Sequence, residues 1–371
     1  VLPPDVVTPT IPPENLRPTF PPEGVVTPTV PPGAPGQTLP GTVPQTLPGG
    51  SVGGQAGGAP AAGQALDLEA YCNALIARAN LIQQPVAAPI ECLRVQRGGR
   101  DRPPPPKPWN VSMDVSHYDI SDHRYGLTME GRSTSVTVSA DKSLRGGLIA
   151  GFNFGYSENE SELFNGHMEA SGDGFSLGGY LTYISPGRWI VDGSLTWSQT
   201  DNDLRVLVLE GEFESRSLSA SMGVSGQYNF SGTMVRPRVS LNYAFLHSDA
   251  YDMTGSFAGF DLNLDQAADQ SGFGTIRLNT EISHVYVVGR LPIMPYAEFE
   301  ATWAFDRPNN GDMLTADLTQ VGTSSIYGAV RGGVRVLVTP ETMLTLSGAY
   351  DSVGQNGLDV WGLRFYLSRR F

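Results

Sequence analysis

Gly174-Phe175-Ser176-Leu177-Gly178 has the G-x-S-x-G spacing of a nucleophile elbow, in which a serine held on a strained strand-to-helix turn attacks a carbonyl. That chemistry needs the turn, and here the pentapeptide lies inside a run of alternating apolar and polar residues, which reads as a strand. His117, His123, His167, His247 and His284 show no H-E-x-x-H or other paired spacing, so neither a zinc centre nor a Ser-His-Asp triad is implied. Acid–base hydrolysis could be assembled from His247 with Asp249, or from Asp201 with Asp203. Both pairs lie in polar segments, where acids read first as solvated charges. No catalytic, cofactor-binding or metal site is therefore assigned.

A second set of polar residues has a spacing that does suggest a role. Asp192, Arg238, Asn242, Arg277, Asn279, Glu281, Glu298, Glu300, Arg331, Arg335 and Arg364 each fall between apolar neighbours, on the opposite face of an extended segment. Their neighbours repeat with period two: Val111, Met113, Val115; Val136, Val138, Ala140; Leu148, Ala150, Phe152, Phe154, Tyr156; Phe175, Leu177, Leu181, Tyr183. The pattern returns at Val191, Leu195, Trp197, at Leu218, Ala220, Met222, and at Val239, Leu241, Tyr243, Phe245. It continues through Ile276, Leu278, Ile282, then Ala297, Phe299, Ala301, Trp303, then Val330, Val334, Val336, then Leu344, Leu346, Tyr350, to Trp361, Leu363, Phe365, Leu367.

This amounts to about twelve strands, each near the roughly 10 residues that a tilted strand needs to cross a bilayer. Short turns, such as Ser185-Pro186-Gly187-Arg188 and Thr339-Pro340-Glu341-Thr342, alternate with longer polar segments: Asp119 to Gly131, Glu158 to Gly172, Asp201 to Glu214, Ser248 to Gln270 and Arg307 to Gly322. The expected fold is all-β, a transmembrane antiparallel β-barrel over 109–371. Its lumen would be lined by Asp192, Arg238, Arg277, Glu281, Glu298, Glu300, Arg331, Arg335 and Arg364, because a charge facing lipid at mid-depth costs ~2 to 4 kcal/mol. Aromatics near strand ends, among them Trp109, Tyr183, Trp189, Tyr228 and Trp303, suit interfacial girdles. A large soluble β-sandwich shares the alternation but not the short–long rhythm of connections.

The remainder of the chain has another character. Residues 1–65 are dominated by Pro, Gly, Thr and Val, and contain two echoes, Val6 to Pro13 (VVTPTIPP) with Val25 to Pro32 (VVTPTVPP), and Thr38-Leu39-Pro40-Gly41 with Thr46-Leu47-Pro48-Gly49. Such a segment is expected to be a disordered, extended arm, either an inert tether or a ligand for peptidoglycan or a periplasmic protein. Residues 66–100 are expected to form a short helical cap or plug, with Leu66, Leu68, Ala70, Tyr71, Leu75, Ile76, Ala79 and Leu81 in an amphipathic pattern between Leu66 and about Gln83. Cys72 and Cys92 suit a disulfide within it, with free thiols as the alternative. Residues 101–108 are a stiff proline linker. No run of about 18 apolar residues is present, so any span must be made of strands.

With 24 basic against 37 acidic residues and a net charge of −13, the composition excludes nucleic acid as a partner. Val1 begins without a charged, apolar leader, so an export signal would already have been removed.

The final strand, Trp361 to Phe371, resembles the C-terminal recognition strand of bacterial outer-membrane proteins: apolar residues at every second position and an aromatic last residue. That resemblance assigns Leu363, Phe365, Leu367 and Phe371 to recognition by the barrel-assembly machinery; Arg369 stands where the pattern has an apolar residue. Strand number, size and the preceding helix-forming segment look like the translocator domain of the autotransporters (type V secretion), with a short proline-rich arm in place of a long passenger. The resemblance implies an outer-membrane location, with lipid and lipopolysaccharide as surroundings, which the loop acids could bind through divalent cations. The expected role is anchoring or displaying the arm; the alternative is a small-solute channel with a charged lumen, and no enzymatic activity is expected.

Overall fold

The computed structural model describes residues 109–124, 129–144, 147–164, 166–185, 189–230, 233–257, 260–288, 291–308, 312–314, 320–339 and 342–371. The expected arm, the helical segment with both cysteines and the proline linker lie outside the described residues.

Among the described residues, twelve strands close a barrel: β1 Trp109–Asp122, β2 Met129–Ser143, β3 Leu148–Leu163, β4 Met168–Ile184, β5 Trp189–Val206 and β6 Leu209–Gly226, then β7 Thr233–Ser248, β8 Asp269–His284, β9 Leu291–Asp306, β10 Ile326–Thr339, β11 Thr342–Val353 and β12 Leu358–Arg370. Each pairs antiparallel with the next, and β1 pairs with β12 from Asn110↔Arg370 to Asp122↔Leu358. The Phe371 N–H completes the seam by donating to the Trp109 carbonyl at 2.8 Å. Closure leaves none of these twelve strands with an open edge in the bilayer, which is what lets backbone polar groups sit in hydrocarbon.

The faces are inverted relative to a soluble sandwich. Phe152 is 58% exposed, Leu177 56% and Leu363 64%, while Asn153, Thr182, Thr275 and Thr302 are fully buried. Apolar side chains point out to lipid and polar ones in. Trp109, Tyr183 and Trp189 are exposed near the rim where β1 begins and β12 ends, at the depth where amphipathic rings sit.

Toward the opposite rim this polarity reverses. Tyr156 faces Phe175 across β3 and β4, but one step further along the same outer face Glu158 faces Asp173, Asp173 faces Asp201, and Asp201 faces Glu214. Inside, at the same end, the wall turns apolar: Tyr118, Ile120, Leu358 and Val360 form one buried cluster, and Ala170, Leu204, Phe213 and Met253 another. The strands thus leave the bilayer without ending. This corrects the polar segments expected at 158–172 and 201–214: β3 runs to Leu163 and β4 starts at Met168, while β5 and β6 are joined by Leu207 and Val208 alone. The alternation persists there, but with acids outside it no longer reads as a half-apolar strand. Like charges directly opposite in a sheet oppose its pairing. Replacing Asp173, which has a carboxylate on either side, by Asn is expected to raise the melting temperature of the detergent-solubilised barrel by about 2–4 °C at low salt. The gain should shrink as added salt screens the row.

The segment expected as a loop from Ser248 to Gln270 contains a hairpin, Tyr251–Phe257 with Phe260–Gln266. It extends the sheet beyond β6 through Leu209↔Gly255 and Glu210↔Thr254. At its base Tyr251 stacks on Phe213 at 4.6 Å, and burial pushes its phenol up to about 12.

Candidate functional site

The barrel interior has two unlike walls. Along β7 to β12 and β1 it carries ion pairs whose reach depends on what lies beneath them. Arg238 on β7 donates to both oxygens of Asp192 on β5, each at 2.6 Å. It can cross β6 because Gly223 is there: a Cβ at that position would sit 2.3 Å from the guanidinium. Arg335 on β10 likewise spans β9 to hold Glu281 on β8 at 2.7 and 2.6 Å, its guanidinium lying 4.0 Å above the Tyr296 ring. Bidentate pairs of this kind fix orientation as well as charge.

Arg331 is the hub of the wall. It meets Glu298 at 3.0 Å, Glu300 at 2.9 Å and Asp351 at 3.0 Å, binding β9 and β11 to β10. Arg277 approaches Glu300 at 4.0 Å, and Asn279 donates to Glu298 at 3.2 Å. Arg364 clasps Asp114 across the seam, donating from Nε at 2.9 and 2.8 Å. Each cation on this wall sits beside a carboxylate, so desolvation is offset locally and little net field remains.

Asp114 is on the polar face that the alternation of the first strand predicts, whereas Asp351, Arg236 and Tyr296 were not expected on this wall. Asp351 follows from the phase of β11, since it is in step with Ser347 and Ala349 and out of step with Leu346 and Tyr350. Arg236, 3.7 Å from Glu281, could have been found from its phase with Arg238. Only the fold reveals which charges meet.

The other wall, β2 to β6, is mostly uncharged, with Asp141 and Asp192 as its buried carboxylates. Hydroxyls pair across strands: Ser133 with Asn159 at 2.7 Å, Ser194 with Ser221 at 2.7 Å, Ser198 with Ser217 at 2.7 Å. Tyr180 lies over Gly151, where a Cβ would be 2.3 Å from its ring, and reaches Asp141 at 3.1 Å. Ser176 of the G-x-S-x-G pentapeptide is buried in the middle of β4, not on a turn. His117 binds Thr134 and His284 binds Thr233, while His247 lies 3.2 Å from Asp249. Among the described residues no three potential metal ligands converge.

The four residues of the last strand that resemblance assigns to assembly, Leu363, Phe365, Leu367 and Phe371, are all exposed on the outer face. The family profile described as Autotransporter beta-domain matches residues 111–351. The chain belongs to that family. Among solved structures, the translocator domain of autotransporter NalP from Neisseria meningitidis is 15% identical with a TM-score of 0.57, over 81% of this chain and 99% of that one. The β-domain of the Bordetella autotransporter BrkA is 14% identical with a TM-score of 0.54, over 71% and 100%. The transport unit of AIDA-I from Escherichia coli is 12% identical with a TM-score of 0.53, over 75% and 95%. No curated relative matches the sequence. At these identities the structures show a shared fold. As an autotransporter β-domain, the barrel is an outer-membrane protein; such barrels are inserted by the barrel-assembly machinery and are not themselves enzymes.

Proposed function

We propose that this autotransporter barrel passes its own proline-rich arm through the lumen and holds it at the cell surface, acting as anchor and display stand. The observation that carries this reading is the two-walled interior. Ion pairs that satisfy one another brace β7 to β12, and facing them is a surface mostly of Ser, Thr, Asn and Gly, whose two carboxylates, Asp141 and Asp192, are already held by Asn110 and Tyr180 and by Arg238.

A chain with two octads of VVTPT-type sequence loses little entropy in an extended conduit, because proline already holds it extended. The family match favours this role over a small-solute channel.

The test is placement of a single label. With Cys72 and Cys92 replaced by Ser, a Ser51→Cys variant in intact cells should react with a membrane-impermeant maleimide. The same cells should lose residues 1–65 to added protease while the barrel stays intact. An arm that is protected until the outer membrane is opened would overturn surface display and leave a tether facing the cell wall.

A further inference from the structure

The hairpin beyond β7 carries an apolar strip that stands exposed among the described residues. Phe257 pairs with Phe260, Gly255 with Leu262 and Met253 with Leu264, so these side chains share one face. Met253 is buried against Ala170, Leu204 and Phe213, which places that face on the inner wall of the mouth. Above Met253 the same face is open: Phe257 is 65% exposed, Phe260 73%, Leu262 40% and Leu264 46%. An aromatic and aliphatic track therefore runs from the lumen exit to the hairpin tip. The opposite face carries Asp252, Thr254, Ser256, Asp261, Asn263 and Asp265.

We infer that this strip, Phe257, Phe260, Leu262 and Leu264, is a docking track for the chain's own octads, Val6 to Pro13 and Val25 to Pro32, bound as polyproline II. The inference rests on the display reading, which brings the arm to this mouth. Three features select this occupant. The octads contain no charged residue, so they meet no repulsion from Asp261 and Asp265 and gain nothing from the acidic outer face. Their valines and prolines are the side chains that exposed aromatic rings receive in proline-rich recognition, and their extended form is set before binding. The arm is tethered to the same barrel, so a contact too weak to hold a free peptide is populated at the high effective concentration of a linked one. Two octads that differ only at Ile11 and Val30 let either rebind when the other leaves.

A second copy of the chain is a poorer fit. Antiparallel pairing of two Phe260–Gln266 edges about Asn263 would set Asp261 against Asp265.

The full-length chain, with a benzophenone amino acid in place of Phe260, is irradiated in intact cells, and the crosslinked peptides are mapped. Crosslinks to 6–13 or 25–32 are expected within one chain. Changing both valine pairs, Val6-Val7 and Val25-Val26, to Ser should lower the yield about tenfold, the effect of withdrawing roughly one buried valine's worth of surface from water. Moving the benzophenone to Asn263, on the acidic face, should give little product. The maleimide label at Ser51→Cys is read in the same cells. If it reacts but crosslinks fall elsewhere in the arm, only the docking track is overturned. If it does not react, display and docking fall together. A crosslinked dimer in place of an internal product would give the strip to a second copy and overturn the proposal.

Discussion

An Arg331→Ala barrel is expected not to survive as the compact, heat-modifiable species that the parent protein forms on an unheated gel. Arg331 is the single cation within 3.0 Å of Glu298, Glu300 and Asp351, and the last two are almost wholly buried. Removing one partner of a buried pair costs about 3–5 kcal/mol because the other charge is left without compensation. Here one substitution takes the nearest cation from three carboxylates, leaving Glu300 only Arg277 at 4.0 Å, against a total stability of roughly 5–15 kcal/mol for a folded domain. The informative comparison is a quadruple variant, Arg331→Ala with Glu298→Gln, Glu300→Gln and Asp351→Asn. It should recover most of the heat-resistant band, because neutral amides need no cation. If Arg331→Ala alone folds like the parent, the hub is solvated in the lumen and braces nothing.

Deleting Phe371 together with a Leu367→Ser change is expected to lower the assembled barrel in the outer membrane by at least an order of magnitude, with the unassembled chain degraded. Two arguments meet here. Leu363, Phe365, Leu367 and Phe371 present the alternating apolar face that resemblance to outer-membrane proteins assigns to the assembly machinery. The Phe371 N–H also closes the seam onto Trp109. Refolding of the purified variant from urea into detergent separates them. A chain that fails in cells but refolds at the parental rate has lost recognition, and one that fails in both has lost the seam. Normal assembly in cells would remove the assignment of these residues to a signal.

The barrel was legible because lipid imposes a strict rule on every strand that crosses it. Runs such as Leu148 to Tyr156 and Val239 to Phe245 have their large apolar residues in one phase, and strand number and closure follow from counting them. Legibility stopped where the rule stops. Glu158, Glu160 and Glu162 continue β3 in step, yet with acids outside and Asn159 and Ser161 inside, both faces are polar and the segment reads as a loop. The hairpin at 251–266 was hidden for the same reason, its alternation being broken by Gly255 and short in extent.

The interior was legible as a set of residues and not as a set of contacts. Which arginine meets which carboxylate depends on register and on small residues between them. Asp192 and Arg238 are not on neighbouring strands, and only the space over Gly223 brings them together. A search of the sequence for Asp and Arg at fixed spacing cannot find that pair.

The reversal of polarity along β3 to β6 also acts as a depth gauge. Sinking the barrel by a single side-chain step would carry the row from Glu158 to Glu214 into hydrocarbon, and lifting it would put Tyr156 and Phe175 in water. With travel blocked both ways, a bilayer of the wrong thickness must thin or swell around the protein. The annulus of lipid, not the cylinder, is the compliant partner.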